Sequence, residues 1–251
     1  MQKIFKNAIL LIFLIILWGV IAEQSNPIFI PKPLKVFEDF IEVIKNGQLL
    51  KALQYSFLRI TIATFISALA AIPIGILIFN VKCARDFLYP IVSAMRYIPV
   101  TAFYPLLIMW FGIDETMKIV FLFIATFVYM MPSVILALDE VNQDLIDTGL
   151  TIGMSKWQTI TQIQIPATLP SLINSFIMMY GIGWTYIAVA ETVNAKYGLG
   201  WIIQQSSSRG RTDMVFMSII TIIIVSVLFD NISKSLVKKI FKWRYINDCC
   251  E

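Results

Sequence analysis

The chain has 251 residues, of which 58% are hydrophobic and 14% charged, with a formal net charge of +4. Soluble proteins hold roughly 45–50% apolar and about 25% charged residues, so this composition leaves too few charges to cover a globule in water and far too few for a disordered chain. Histidine is absent, which removes His-based triads, imidazole acid–base chemistry and every zinc site built on imidazole. Cys83, Cys249 and Cys250 have neither the number nor the spacing of a disulfide framework or a metal site, and the small positive charge does not point to nucleic acid.

A helix needs about 20 mostly apolar residues to cross roughly 30 Å of hydrocarbon. Six stretches qualify, approximately 4–22, 56–79, 87–111, 117–138, 167–193 and 214–233. The first follows Lys3 and Lys6 as a signal peptide would, but its apolar run exceeds the usual 7–15 residues and no A-x-A-like site follows, so it reads as a retained anchor. The expected fold is therefore all-α and integral to the membrane, with six transmembrane helices. It comprises an anchor helix in 1–22, an extracytoplasmic segment in 23–54 and a core in 55–251 with a polar loop at 139–166 and a tail at 234–251. An even number of spans puts both termini on one side. With the termini inside, ten lysines and arginines fall on cytoplasmic segments and eight outside, Lys118, Arg209 and Arg211 among the latter.

The segment 23–54 opens with a Pro-rich piece, Pro27 to Pro33, expected to be extended because proline disfavours helix and sheet alike. An amphipathic helix should follow, with Val36, Phe37, Phe40, Ile41 and Ile44 on its apolar face and Glu38, Asp39, Glu42 and Lys45 opposite, ending at Gly47. No internal repeat is visible, which weighs against inverted-repeat secondary transporters.

Four ionisable residues fall in or near the spans: Arg59, Arg96, Glu191 and Asp230. Each costs about 2.5–3.5 kcal/mol at mid-membrane, so each should face protein or a wet cavity. Arg59 and Asp230 read as locally paired or reaching for the interface. Arg96, in Met95-Arg96-Tyr97-Ile98-Pro99, either forms a structural ion pair or lines a pathway with Tyr97 and Glu191. Pro90, Pro99 and Pro105 should kink the third span, and the small residues Ala63, Ser67 and Ala71 allow another helix close to the second.

The loop 139–166 is long and polar, patterned as two short helices. Val141, Leu145 and Ile152 lie near one face of the first; Gly153 can supply a left-handed turn, and Ser155 can cap a second helix showing Trp157, Ile160 and Ile163. Pattern alone fits either an ordinary loop packed on the bundle or a docking knob. The spacing adds to this. Gly153, nine residues, Ile163, one residue and Ile165-Pro166 resembles the loop signature of ABC-importer permeases: E-A-A, three residues, Gly, nine residues, Ile, one residue, Leu-Pro. Asp147-Thr148-Gly149 stands where that family has its acidic triplet. Two further stretches, Pro105 to Glu115 and Ala190 to Trp201, resemble segments of the nitrate/sulfonate/taurine-type permeases.

The resemblance implies a type I ABC-importer (MetI-like) permease fold in a bacterial inner membrane, with both termini cytoplasmic. It implies ABC ATPase subunits, an extracytoplasmic solute-binding protein and a second permease copy as partners. It places ATPase coupling on the loop, at Asp147, Thr148, Gly149, Gly153, Trp157, Ile160, Ile163 and Pro166. A solute such as a sulfonate, taurine, nitrate or a vitamin precursor would be carried. No G-x-x-x-x-G-K-[ST] phosphate loop is present, so ATP and Mg are expected on the partner ATPase and no cofactor or catalytic residue in this chain. A secondary transporter or channel without an ATPase is the alternative. An intramembrane enzyme is disfavoured, because Glu191 has no evident partner for chemistry.

Overall fold

The computed structural model describes residues 2–242, with side chains from residue 9 onward, and every regular element among them is helical. Arg244, Cys249, Cys250 and the end of the tail lie outside the described residues. The helices are α1 (Gln2–Gln24), α2 (Pro33–Lys45), α3 (Gln48–Asn80), α4 (Lys82–Met95), α5 (Tyr104–Phe111), α6 (Glu115–Asp139), α7 (Gln143–Thr151), α8 (Lys156–Thr159), α9 (Ile165–Ala190), α10 (Leu199–Ser208) and α11 (Thr212–Ile240). The chain forms two compact units, one from Met1–Leu58 with Ile187–Val225, the other from Arg59–Tyr186 with Ser226–Glu251.

Four helical stretches are long and apolar enough to cross a membrane: Gln48–Asn80, Glu115–Asp139, Lys156–Ala190 and Thr212–Ile240. They contain the expected second, fourth and sixth spans and nearly all of the fifth, which ends at Ala190 rather than Val193. The third departs. Its bend is a break rather than a gentle kink: Lys82–Met95 and Val100–Phe111 meet at 89°. Ile98 is pushed out of helical conformation by Pro99, and a 3-10 turn, Val100–Phe103, leads into α5, where Pro105 sits in the first turn and loses no intrahelical bond. Of the three prolines, Pro90 is held inside α4 and Pro99 marks the corner.

In the unit built on 59–186, α3 and α6 pack through small side chains. Ala63, Ser67 and Ala71 are all fully buried, and Ser67 Oγ lies 2.6 Å from Thr126 Oγ1 and donates to the Phe123 carbonyl at 3.0 Å. The core continues through Ile78, Met130, Val134, Leu138, Leu172 and Met179. Arg59, 97% enclosed, is paired rather than free to reach the interface: its Nε and second terminal nitrogen donate to the two Glu115 oxygens at 2.6 and 2.7 Å. Lys118, expected in an outer loop, is instead buried and donates to Glu115 at 3.1 Å. Two buried cations thus share a carboxylate whose side chain is 56% exposed. Replacing Glu115 by Gln should cost about 2 kcal/mol, less than a fully enclosed pair because water reaches the carboxylate. A melting curve of the purified variant, with Asp114→Asn as the exposed control, measures this.

In the other unit, the Pro-rich piece is a turn rather than an extended strand. Asn26 organises it, its side chain accepting from the Ile28 N–H at 3.0 Å and its carbonyl from Phe29 at 2.9 Å. Helix α2 follows as expected and stops just before Gly47, at φ +67. The face it turns to the protein is not the most apolar one, however. Val36, Asp39 and Val43 are buried, while Phe37, Ile41 and Ile44 are exposed. The reason is Asp39, an acid that the apolar pattern places on the water side. It has no exposed surface, and Lys35 and Arg211 hold it at 3.1 and 3.3 Å. Burial pushes its carboxyl above the usual carboxylate range, with Lys35 opposing.

Candidate functional site

The polar loop folds from its own local signals. Asn142 caps α7, accepting from the Asp144 N–H at 2.9 Å. The helix ends in a turn where Met154 N–H bonds back to Gly149 O at 3.1 Å, and Gly153 adopts φ +90, a conformation that L side chains rarely take. Ser155 then starts α8 with a reciprocal capping box: the Gln158 N–H donates to Ser155 Oγ at 3.3 Å, and the Ser155 N–H to Gln158 Oε1 at 2.8 Å. The second helix is not a separate element of a helix–turn–helix. It runs through a π turn, Ile160–Gln164, directly into α9, making one stretch of 35 residues, Lys156–Ala190. The wide turn lies just before Pro166, whose ring cannot sit over the carbonyl four residues back in a regular helix.

Of the residues expected at this loop, Gly149 is buried because α7 crosses the π turn there; a Cβ on Gly149 would lie 2.5 Å from Ile163 Cδ1. Ile160 and Ile163 are half-buried and form the knob's inner packing. Asp147, Thr148 and Pro166 are exposed, and the first two are engaged within α7, Asp147 accepting from Gln143 at 3.2 Å and Thr148 donating to the Asp144 carbonyl at 2.6 Å. The outer surface carries apolar groups where a polar loop has no need of them: Ile152 is 74% and Trp157 71% exposed, beside exposed Leu145 and Leu150.

The three expected pathway residues are shared between the two units, Arg96 and Tyr97 in the one built on 59–186 and Glu191 in the other. Arg96 and Tyr97 sit at the corner between α4 and the 3-10 turn. Arg96 is exposed, donates to the Ser93 carbonyl at 3.1 Å and lies 5.9 Å from the Tyr97 ring, itself 80% exposed. Glu191 has no exposed surface. Its carboxylate accepts from Ser56 Oγ at 2.8 and 3.0 Å and from the Gly200 N–H at 2.8 Å, while Ser56 Oγ accepts from the Leu199 N–H at 3.0 Å. Leu199 and Gly200 open α10, so Glu191 and Ser56 satisfy the donors that a helix leaves unpaired at its start, and the carboxylate meets the positive end of its dipole.

That arrangement explains both glycines of the 198–200 turn. Gly198 adopts φ +145, and a Cβ there would overlap the Glu191 carboxylate; one on Gly200 would lie 2.8 Å from the Ile187 carbonyl. Tyr197 is held against this turn by Tyr55, stacked at 5.2 Å, and by Lys51, 4.0 Å above its ring. Ser56 was missed by the sequence reading. As a hydroxyl at the edge of an apolar run, it carries no signal of its partner 135 residues away.

A family model described as "Binding-protein-dependent transport system inner membrane component" matches residues 63–242. Among curated proteins, the chain is 30% identical over 240 residues to the taurine transport system permease protein TauC of Escherichia coli strain K12, covering 93% of this chain and 87% of that one. It is 29% identical to the putative aliphatic sulfonates transport permease protein SsuC of Bacillus subtilis strain 168, covering 95% and 87%. Among solved structures, a chain of the MetNI methionine ABC transporter in inward-facing conformations superposes with a TM-score of 0.68 at 21% identity, over 77% of this chain and 96% of that one, a likeness of fold.

Proposed function

The chain belongs to the family of binding-protein-dependent transport system inner membrane components and is an ABC-importer permease subunit, and from that premise we propose that it translocates a small sulfonate such as taurine. In this reading α1 is a sixth span beside the four long helices and the bent pair, and both termini are cytoplasmic. An extracytoplasmic binding protein delivers the solute, a second copy completes the pathway, and cytoplasmic ATPases hold the ATP and Mg. The relatives carrying taurine and sulfonate names support the solute class; nitrate and vitamin precursors are weaker options.

The observation that carries the coupling assignment is the continuous helix. Trp157 stands exposed at its start, on a knob closed by Gly149 and Gly153, and the same helix runs on for 35 residues as a membrane span. A push on Trp157 is passed along the chain into the span, because no loop separates the two. Arg96 at the exposed corner supplies a fixed positive charge suited to a sulfonate, whose anion cannot be neutralised at physiological pH.

Uptake of radiolabelled taurine by cells expressing the chain with its ATPase and binding protein tests the reading. Arg96→Gln should lower uptake at least tenfold while leaving assembly intact, and Arg96→Lys should recover part of it. Full uptake with Arg96→Gln removes that residue from the pathway. Uptake without any ATPase would overturn the importer assignment itself.

A further inference from the structure

Helix α2 carries three faces rather than two. Successive residues of a helix are about 100° apart, and Val36, Asp39 and Val43 turn to the protein, where all three are buried. Opposite them stand Leu34, Phe37, Ile41 and Ile44, spaced by three or four residues and between 37% and 73% exposed. Glu38, Glu42 and Lys45 share one flank, all exposed. A helix that met only protein and water would keep its charges opposite the buried face. Here the position farthest from the protein is the most apolar, and the charges lie to one side.

Two links set the level of this helix against the spans. Asp39 is held by Arg211 at 3.3 Å, and Arg211 immediately precedes Thr212, where α11 begins. Only Asn46 and Gly47 separate α2 from α3, which keeps the facing ends of those helices within about 10 Å of each other. An apolar cavity of about 360 Å3 continues the surface: Phe40 and Ile44 line it from α2, Leu50 and Leu53 from α3, and Ile224 from α11. Leu50, Ile223 and Ile224 are exposed on helices that cross the membrane, so they meet hydrocarbon. The apolar face of α2 is thereby continuous with the lipid-facing surface of two spans.

We propose that α2 is an interfacial helix, with Leu34, Phe37, Ile41 and Ile44 in the boundary between headgroups and acyl chains and Glu38, Glu42 and Lys45 on its water side. A bilayer surface offers an apolar and an aqueous medium on either side of one line, as the two outer faces of α2 require. Asp39 then acts as the fastening that keeps the third face on the protein. The proposal rests on α3 and α11 spanning the membrane and not on the identity of the transported solute.

Spin labelling of the full-length chain in lipid nanodiscs tests it, on a background with Cys83, Cys249 and Cys250 replaced by Ser. Labels introduced through Phe37→Cys and Ile41→Cys should collide readily with dissolved oxygen. They should meet a water-soluble nickel chelate roughly fivefold less often than labels from Glu38→Cys and Glu42→Cys, since the apolar face of such a helix lies about 5–10 Å inside the boundary. All four side chains are exposed, so the substitutions leave the core intact. Equal nickel access at the four positions would overturn the proposal and place the apolar face in water. Shielding of Phe37→Cys and Ile41→Cys from both reagents would overturn it as well, by showing a protein contact such as a second copy of the chain.

Discussion

Replacing Glu191 by Ala should lower stability by about 3 kcal/mol and the melting temperature by roughly 6–12 °C. The buried carboxylate accepts from Ser56 and from the Gly200 N–H, and Ser56 in turn accepts from Leu199. Its removal strands two of these donors away from water, at about 1–3 kcal/mol each. Gly198→Ala should cause a loss of similar size from the opposite direction, because its Cβ overlaps the same carboxylate and its backbone sits at φ +145. The two substitutions act on one contact, so their combination should cost less than the sum of the single changes. Thermal melting of the four proteins in detergent closes this cycle. Strict additivity would show that Glu191 and Gly198 act separately and that the carboxylate does not organise the turn.

Trp157→Ala should leave melting unchanged and abolish coupled transport. The side chain is 71% exposed, so its loss creates no cavity. An exposed tryptophan that anchors an interface is worth about 2 kcal/mol or more, which corresponds to a loss of roughly 30-fold in affinity for the ATPase. Gly153→Val should abolish uptake by a different route, since φ +90 is closed to a β-branched residue and the turn from α7 to α8 must rearrange. Co-purification of the ATPase with each variant separates the two effects. If Trp157→Ala retains wild-type affinity and uptake, the coupling site lies elsewhere on the chain.

Much of the polar loop was legible from local chemistry. Gly153 and Ser155 announced the turn and the cap, because a left-handed glycine and a Ser-x-x-Gln box are decided within a few residues of chain. The misreadings have a common cause. Apolar pattern placed Asp39 on the water side of α2 and the charge count put Lys118 outside, yet both are buried, since partners distant in the sequence or on a neighbouring turn neutralise them. The loop's second helix was taken as a free element because nothing in its composition reveals that it continues through a π turn into α9.

The sequence by itself determined that this chain enters a membrane, where most of its spans run and where its polar loop turns and is capped. Hydropathy, prolines, caps and glycines act over one or two helical turns, and the energies involved depend little on the rest of the fold. Only the tertiary structure decided that Arg59 pairs with Glu115, that Glu191 caps α10 through Ser56, and that the third span turns through 89°. The ion pair and the cap join residues 56 and 135 positions apart, and whether a buried charge is a pathway group or a structural one depends on which neighbour the fold brings to it. The angle depends on how α4 and α5 pack against α6 on either side of the Pro99 break, which proline permits but does not set.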